Sequence, residues 1–174
     1  MIVQVKPASI EQKPILARLM QLYLYDLSEV DGRDIDQDGL FEYKYLDSYW
    51  SQAERFPFLI YADDKIAGFV LVNSYTHLQE RGKAKSIAEF FVLSKYRSQG
   101  IAKTAALRIF DAFPGKWEIS PLKENVGAQR FWRRAIDEYT NGQFTETALD
   151  NERWQGPILS FDSSHKPKAA PVDG

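Results

Sequence analysis

Apolar residues recur at two spacings along this chain, which predicts strands interleaved with helices. Residues 15–27 repeat apolar side chains every three or four positions, as one face of a helix does, and Ser9 can cap that helix. Compact apolar runs predict strands, and Asp63 and Asp64 predict a hairpin turn between two of them. The predicted strands are residues 2–6, 58–62, 65–74, 86–93, 116–120, 143–148 and 158–162, and further helices are predicted over 41–53 and after Gly100 and Asn125.

Size and composition indicate one compact domain. The chain has 174 residues, of which 44% are hydrophobic and 14% aromatic. This length supports one sizeable core, and the composition argues against disorder. We predict a single domain over residues 1–162. Two prolines and several small residues in 163–174 predict a mobile C-terminal tail.

Other function classes are excluded by residues that the sequence lacks. It has no cysteine, which rules out disulfides, thiolate metal sites and a cysteine nucleophile. His77 and His165 lack metal-ligand spacing, and Ser120 has no Gly-x-Ser-x-Gly surroundings. No apolar run is long enough to span a membrane, and the first residues lack the pattern of a signal peptide. We expect a cytoplasmic protein that binds neither a membrane nor a metal.

Charge is divided between two parts of the chain, although its formal net charge is only −2. Residues 26–47 carry eight acidic and two basic side chains, whereas residues 81–134 carry twelve basic and four acidic ones. A basic half suits a polyanionic ligand, and an acidic segment suits a cationic amine. The alternative for the acidic segment is a solvated surface. No nucleic acid is expected as a partner, because the chain has no nucleic-acid-binding motif and its pI is near 5.7.

The segment from Ala88 to Ala102 carries the most specific signal. An apolar strand runs directly into a turn of polar and small residues, and an amphipathic helix follows. The first turn of a helix has backbone N–H groups without intrahelical partners, at the positive end of the helix dipole. Gly100 lets the backbone approach a bulky anion, and Arg97 adds charge at the rim. The turn is therefore predicted to bind phosphate.

A second motif follows about 25 residues later. Asn125-Val-Gly-Ala-Gln-Arg-Phe-Trp132 opens a helix after the strand-like residues 116–120. Together with the turn Arg97-Ser-Gln-Gly-Ile-Ala102, it resembles the GCN5-related N-acetyltransferase (GNAT) superfamily, most strongly over residues 87–139. The resemblance implies acetyl-CoA-dependent transfer of an acetyl group to a primary amine on a small molecule, a peptide N-terminus or a lysine. It also implies an α/β fold, with a mixed, mostly antiparallel splayed sheet flanked by helices on both faces.

The same resemblance implies a role for each motif. In that family the turn binds the pyrophosphate of acetyl-CoA, the helix after the asparagine flanks the pantetheine arm, and a strand N–H stabilises the oxyanion. That donor falls at Val92 or Leu93. The residues implied in acetyl-CoA binding are Val92, Leu93, Arg97, Ser98, Gln99, Gly100, Ile101, Ala102, Asn125, Phe131 and Trp132.

Glu89 is the candidate general base, acting directly or through water. It interrupts an apolar strand, where a buried carboxylate is costly without a partner or a task. Some members of the resembled family place a catalytic glutamate on this strand. The alternatives are a structural ion pair with a nearby basic residue or plain exposure.

Trp132 departs from the family pattern. Many members have a tyrosine there, whose hydroxyl can protonate the departing thiolate, whereas an indole N–H is not a practical acid. The thiolate then leaves unaided, or another hydroxyl serves, Tyr96 and Tyr139 being conceivable substitutes, or activity is lost. The last case corresponds to a non-catalytic CoA-binding sensor or regulatory module.

Residues 34–39 copy the start of an EF-hand calcium loop. The twelfth position of such a loop supplies a bidentate glutamate, and here it is Tyr45. The strongest ligand is missing, so calcium binding is not expected.

The acidic segment has a second interpretation, because the resembled family lines the acceptor side of its cleft with this region. The residues predicted to meet the amine are Asp26, Asp36, Glu42 and Tyr25. Tyr43 and Tyr45 could pack against it. The alternative is that these aromatic residues only pin the second helix to the sheet. The expected partners are acetyl-CoA and an amine, in a monomer or a homodimer.

Overall fold

The computed structural model describes residues 1–164 and shows a seven-stranded sheet with helices against both faces. In chain order the elements are β1 (Val3–Pro7), α1 (Lys13–Asp31), α2 (Ser48–Ser51), β2 (Arg55–Ala62), β3 (Lys65–Asn73), β4 (Lys85–Val92), α3 (Ile101–Ala112), β5 (Lys116–Ile119), α4 (Val126–Thr140), β6 (Thr145–Asp150) and β7 (Gln155–Asp162). The strands lie in the order β1-β2-β3-β4-β5-β7-β6. β4 and β5 pair in parallel, and the other neighbours run antiparallel. The predicted fold class is confirmed.

Side-chain alternation along β3 divides the core into two layers. Phe69 and Leu71 pack with α1 and α2, whereas Val70 and Val72 pack with α3 and α4. All four side chains are fully buried. Because both faces of this strand are covered by helices, its sequence is a continuous apolar run.

The sheet opens between β4 and β5. Their ladder consists of Lys85 opposite Trp117 and Ser86 opposite Glu118. Beyond that point β4 continues to Val92, and a shift in its register with β3 leaves Ala88 as a bulge. One edge of β4 therefore faces a gap instead of a neighbouring strand. The cleft described below lies in this gap.

The predicted helix over residues 41–53 is wrong, since α2 covers only Ser48–Ser51 and turns precede it. The side chain of Gln21 competes with helix formation at Phe41. Its Nε2 donates to the Phe41 carbonyl at 2.9 Å, and its Oε1 accepts from the Phe41 N–H at 2.8 Å. Phe41 and Tyr43 still pack on the α1 side of the sheet. Tertiary hydrogen bonds have overridden the local apolar spacing.

The connection from α4 to β6 differs slightly from expectation. β6 begins two residues later than the predicted strand 143–148, because Asn141 and Gly142 adopt positive φ angles of 52° and 79° and end α4. Next to the predicted boundary at 162, Ser163 is buried and its N–H donates to the Gly115 carbonyl at 2.9 Å. The rest of the predicted tail, including His165, lies outside the described residues. Within residues 1–164, no helix combines the length and apolar character needed to cross a membrane.

Candidate functional site

Three adjoining cavities with shared lining residues make up a cleft, and two of them lie along the open edge of β4. The α3 cavity, of about 510 Å³, is lined by Ser98, Gly100, Ala102, Lys103, Arg130, Phe131, Arg134 and Ala135. The central cavity, of about 460 Å³, shares Ala102 and Phe131 with it. The Glu89 cavity, of about 350 Å³, shares six residues with the central one, namely Tyr23, Leu27, Phe90, Asn125, Ala128 and Trp132.

The α3 cavity is built around the predicted phosphate-binding turn. Ser98 and Gly100 have left-handed φ angles of 60° and 78°, and Gly100 is the N-cap of α3. The helix begins with the Thr104 N–H donating to the Gly100 carbonyl at 3.0 Å, so the preceding N–H groups at this helix end have no intrahelical acceptor. A Cβ on Gly100 would meet no atom within 4 Å. The backbone is thus open to an approaching anion.

Three basic side chains that sequence reasoning missed also line this cavity. Lys103 follows the turn on α3, and Arg130 and Arg134 lie one turn apart on α4. Lys103 and Arg134 both contact Glu138, at 2.6 and 3.1 Å, and Arg130 is exposed. The excess of positive charge over residues 81–134 was the available signal, but only the packing of α4 beside α3 brings these three together.

In the central cavity the structure separates the two candidate oxyanion donors. The Leu93 N–H already donates to the Ala67 carbonyl of the neighbouring strand at 2.8 Å. Successive N–H groups along a strand point to opposite edges, so the Val92 N–H faces the open gap. The Val92 carbonyl faces the same way and accepts a hydrogen bond from Arg97 Nε at 2.8 Å. Of the pair, Val92 has the geometry of a donor.

Arg97 and Asp26 lie together on the wall of the central cavity. Arg97 Nη2 pairs with the Asp26 carboxylate, and the guanidinium also lies 5.6 Å from the centre of the Phe91 ring. Arg97 therefore crosses the cleft from the turn to α1 instead of standing at the phosphate rim. Asp26, predicted to meet the amine, lines the central cavity and is not among the described residues that line the Glu89 cavity.

The motif on α4 forms the opposite wall. Asn125 Oδ1 accepts from the Ala128 N–H at 3.0 Å, which makes it the N-cap of the helix, and the same residue lines both the central and the Glu89 cavities. Phe131 stacks on Phe90, and Trp132 packs edge-on against Phe90 with ring centres 5.1 Å apart. These rings give the central cavity an apolar wall suited to an aliphatic chain.

Glu89 faces the next cavity and is enclosed by protein on its other sides. The Tyr23 hydroxyl donates to Glu89 Oε2 at 2.6 Å. Burial raises the pKa of the Glu89 carboxyl to about 7, although the hydroxyls of Tyr23 and Tyr43 and the guanidinium of Arg33 oppose that rise. Near neutral pH this carboxyl therefore exists in both protonation states, as a general base does.

The remaining walls of the Glu89 cavity come from distant parts of the chain. Arg33 Nε donates to Asp31 Oδ2 at 2.8 Å, and this pairing lowers the pKa of Asp31. On the other side the His77 ring stacks on Trp154 with centres 4.7 Å apart, and burial lowers the pKa of His77. The buried Glu118 carboxylate accepts hydrogen bonds from three successive backbone N–H groups, of residues 77–79, at 2.7 to 3.1 Å, which holds that loop in place.

The other predicted acceptor residues are not among the described residues that line this cavity. Tyr25 is 67% exposed, and Asp36 and Glu42 are exposed as well. Asp36 Oδ1 accepts from the Asp38 and Leu40 N–H groups at 2.9 Å, so it organises its own loop. Over the part of the chain that the structure describes, no cluster of acidic and histidine side chains could hold a metal ion. Sequence reasoning discounted His77, and the structure places it in the cavity wall.

Comparison with solved structures agrees with this architecture. An acetyltransferase from Thermus thermophilus superposes with a TM-score of 0.67 at 13% identity, over 93% of this chain and 97% of that one. An aminoglycoside acetyltransferase AAC(6')-Ib in complex with coenzyme A gives 0.63 at 12% identity, over 92% and 95%. A spermidine N-acetyltransferase from Vibrio cholerae, in complex with CoA and spermine, gives 0.59 at 11% identity, over 93% and 96%. Identities this low establish the fold alone.

Sequence comparison is more specific. No curated protein matches the chain significantly. The model of the acetyltransferase (GNAT) family, however, matches residues 21–136, which is more than half of the chain and includes the turn before α3, Glu89 and the α4 motif. The chain therefore belongs to the GNAT family of acetyltransferases.

Proposed function

We propose that this protein transfers the acetyl group of acetyl-CoA to a primary amine by direct attack of the amine on the thioester. The observation that carries the proposal is the succession of three adjoining cavities. They lead from an open helix N-terminus at Gly100, past the unpaired edge of β4, to Glu89, a carboxyl of raised pKa. Acetyl-CoA is a substrate in this reaction. Its charged pyrophosphate and its pantetheine arm require different surroundings, and the cavities differ in their basic and apolar linings.

The residues present fit acetyl-CoA. The N–H groups at the start of α3 and the side chains of Lys103, Arg130 and Arg134 supply the donors and charge that a pyrophosphate requires. The apolar wall of Phe131 and Trp132 suits the pantetheine arm, whose amides can pair with the free edge of β4.

Glu89 acts as the general base of the proposed reaction. Its carboxylate accepts a proton from the amine nitrogen as the carbon–nitrogen bond forms. The Val92 N–H, which points into the gap, donates a hydrogen bond to the oxyanion that develops on the acetyl oxygen. A base with a pKa of about 7 retains a useful carboxylate fraction at neutral pH and still binds a proton effectively.

The Glu89 cavity supports an acceptor that carries a single amine. The charges of Asp31 and Arg33 cancel within their pair, and burial disfavours the charged form of His77 by lowering its pKa. One titrating carboxyl, Glu89, then remains, and the Tyr75, His77 and Trp154 rings supply flat surfaces. We expect an amine on an aromatic or apolar body to fit better than a polyamine, which needs several carboxylates.

The experiment is calorimetric titration of acetyl-CoA into wild-type protein and two glycine variants. Gly100→Val places a side chain in the open cradle and should weaken binding at least tenfold. Gly39→Val is the matched control, since Gly39 has the same left-handed φ (75° against 78°) and the same open surroundings but lies in the loop after α1. Absence of binding to wild-type protein, or equal losses in both variants, would contradict the proposal. Binding without turnover of any amine would instead support a CoA sensor, for which Trp132 is the argument.

A further inference from the structure

The Tyr23 hydroxyl lies in the cleft but has no role in the acetyl transfer as proposed above. Tyr23 lines both the Glu89 cavity and the central cavity, so it lies where the amine and the thioester must meet. Its ring is held edge-on to Phe69 and tilted against Phe91, with centres 5.8 and 5.9 Å away. The hydroxyl is thereby directed at Glu89 Oε2, to which it donates at 2.6 Å.

Trp132 leaves the proposed reaction without the general acid that many family members have. It occupies the position where many family members carry a tyrosine, and its indole cannot protonate a thiolate at neutral pH. The substitutes considered from the sequence are both occupied elsewhere. Tyr139 donates to Asp111 at 2.7 Å, and Tyr96 is buried against the α3 side of the sheet. Among the described residues that line both reaction cavities, Tyr23 has the one hydroxyl.

We infer that Tyr23 is the general acid of this enzyme and passes the proton collected by Glu89 to the departing thiolate. The inference rests on the proposed acetyl transfer. The neutral amine forms the carbon–nitrogen bond and gives one proton to the Glu89 carboxylate. When the carbon–sulfur bond breaks, its electron pair goes to sulfur, the Tyr23 proton moves to sulfur, and the Glu89 proton moves to the Tyr23 oxygen. The products are an amide and CoA thiol, and both side chains return to their starting states.

A change in hydrogen-bond direction couples the two steps. While Glu89 is ionised, the Tyr23 proton is held by the carboxylate. Once Glu89 has taken the amine proton, its own O–H can donate to the Tyr23 oxygen, and the Tyr23 proton is released toward the central cavity. The acid thus becomes available only after the base has acted.

The two proton transfers must occur together. Burial and Glu89 raise the pKa of Tyr23 well above its ordinary value, so a free tyrosinate would be an unfavourable intermediate. The net transfer, however, runs from a carboxyl with a pKa of about 7 to a thiolate, whose conjugate acid has a pKa of about 8.5 in an ordinary thiol. That overall direction is downhill.

Tyr43 provides a matched control for this role. Both tyrosine hydroxyls lower the pKa of Glu89, but Tyr43 is not among the described residues that line either reaction cavity. Tyr23→Phe and Tyr43→Phe therefore each remove a hydroxyl that favours the ionised base, and only Tyr23→Phe removes the proposed acid. Both substitutions keep the ring and its packing.

The test compares the two variants with hydroxylamine, a small amine that is uncharged at neutral pH, at saturating acetyl-CoA, by following thiol release against pH. Carbon-13 NMR of labelled glutamate carboxyls reports the Glu89 pKa, and calorimetry reports acetyl-CoA affinity. We expect Tyr43→Phe to move the midpoint of the pH profile upward with its plateau within about threefold of wild type. Tyr23→Phe should lower the plateau about 100-fold or more, with affinity within about threefold.

Equal plateaus in the two variants, with equal shifts of the Glu89 pKa, would overturn the relay and reduce Tyr23 to a positioning residue. In that case the proposed acetyl transfer stands, because wild-type turnover and binding are unaffected. A wild-type protein that binds no acetyl-CoA would overturn the transfer itself, and the relay with it.

Discussion

The two ends of the cleft are built in different ways. The α3 cavity uses backbone N–H groups and a glycine from one short turn, with three basic side chains from the helices beside it. The Glu89 cavity collects side chains from residues 23 to 154, on α1, α4, three strands and several loops. A local turn can specify an anion site because the backbone supplies most of its donors. A site made of converging side chains exists only after the sheet and helices have packed.

Glu89→Gln should have the largest effect on turnover, and it should act at the Glu89 cavity and not at the α3 cavity. Loss of the base is expected to lower kcat by about 100-fold or more, with acetyl-CoA affinity within about threefold of wild type. In wild type, kcat/KM should rise with pH through about 7, as the Glu89 carboxyl ionises, and this limb should vanish in the variant. Stopped-flow thiol detection measures the first effect and calorimetry the second. A large loss of affinity would show that the two ends are not separable.

The same substitution should change stability in a pH-dependent way. The Glu89 pKa is raised from 4.5 to about 7 in the folded protein, so the folded chain holds an extra proton between those values. The stability this provides is present below pH 4.5 and is lost as pH rises through 7. Because glutamine stays neutral, the free energy of unfolding of Glu89→Gln should exceed that of wild type by about 3 kcal/mol at pH 8. Near pH 4 the two should be similar in urea denaturation, and a constant difference would contradict a buried, titrating Glu89.

The substitution Trp132→Tyr tests whether the general acid can be moved from Tyr23 on α1 to position 132 on α4. If Tyr23 is the acid, Trp132→Tyr should raise the activity of Tyr23→Phe about tenfold and leave wild-type kcat nearly unchanged. Trp132 lines both cavities, so a hydroxyl there lies within the reaction centre. Trp132→Phe is the control, since it makes a similar change in packing without a hydroxyl. Equal gains from both substitutions would point to packing.

Arg130→Ala should have the smallest effect, and it should change acetyl-CoA affinity at the α3 cavity. Arg130 is exposed at the α3 cavity, so its charge should contribute about fivefold to acetyl-CoA affinity, less at high salt. Turnover at saturating acetyl-CoA should not change. Arg108→Ala on α3, equally exposed but not among the described lining residues, should leave affinity unchanged. Equal losses would mean that only the general positive field matters.

Sequence patterns predicted the sheet, most helices and the turn before α3 because these depend on spacing within short segments. Val70 and Val72 alternate with Phe69 and Leu71, and Gly100 directly precedes its helix. The same patterns failed at residues 41–47, where bonds from Gln21 hold Phe41 in a turn.

Sequence patterns also failed to predict most residues that line the Glu89 cavity. Asp36 and Glu42 were selected for charge and neighbourhood in the chain, but they lie at the surface. Asp31, Arg33, His77 and Trp154 form the walls instead. No spacing rule connects residue 33 with residue 154, so this cavity was not predictable in detail. Glu89 was predictable as a candidate, because a charge inside an apolar strand is conspicuous.

The sequence by itself determined the fold class, the glycine turn before α3 and the position of a carboxyl on the open strand. The fold class follows from apolar spacing within short segments. The turn follows from Gly100, which adopts a positive φ angle directly before the helix begins. Only the tertiary structure decided which N–H faces the gap, what lines the Glu89 cavity and which hydroxyl meets Glu89. Those properties depend on strand register and on contacts between residues far apart in the chain, such as Tyr23 and Glu89, 66 positions apart.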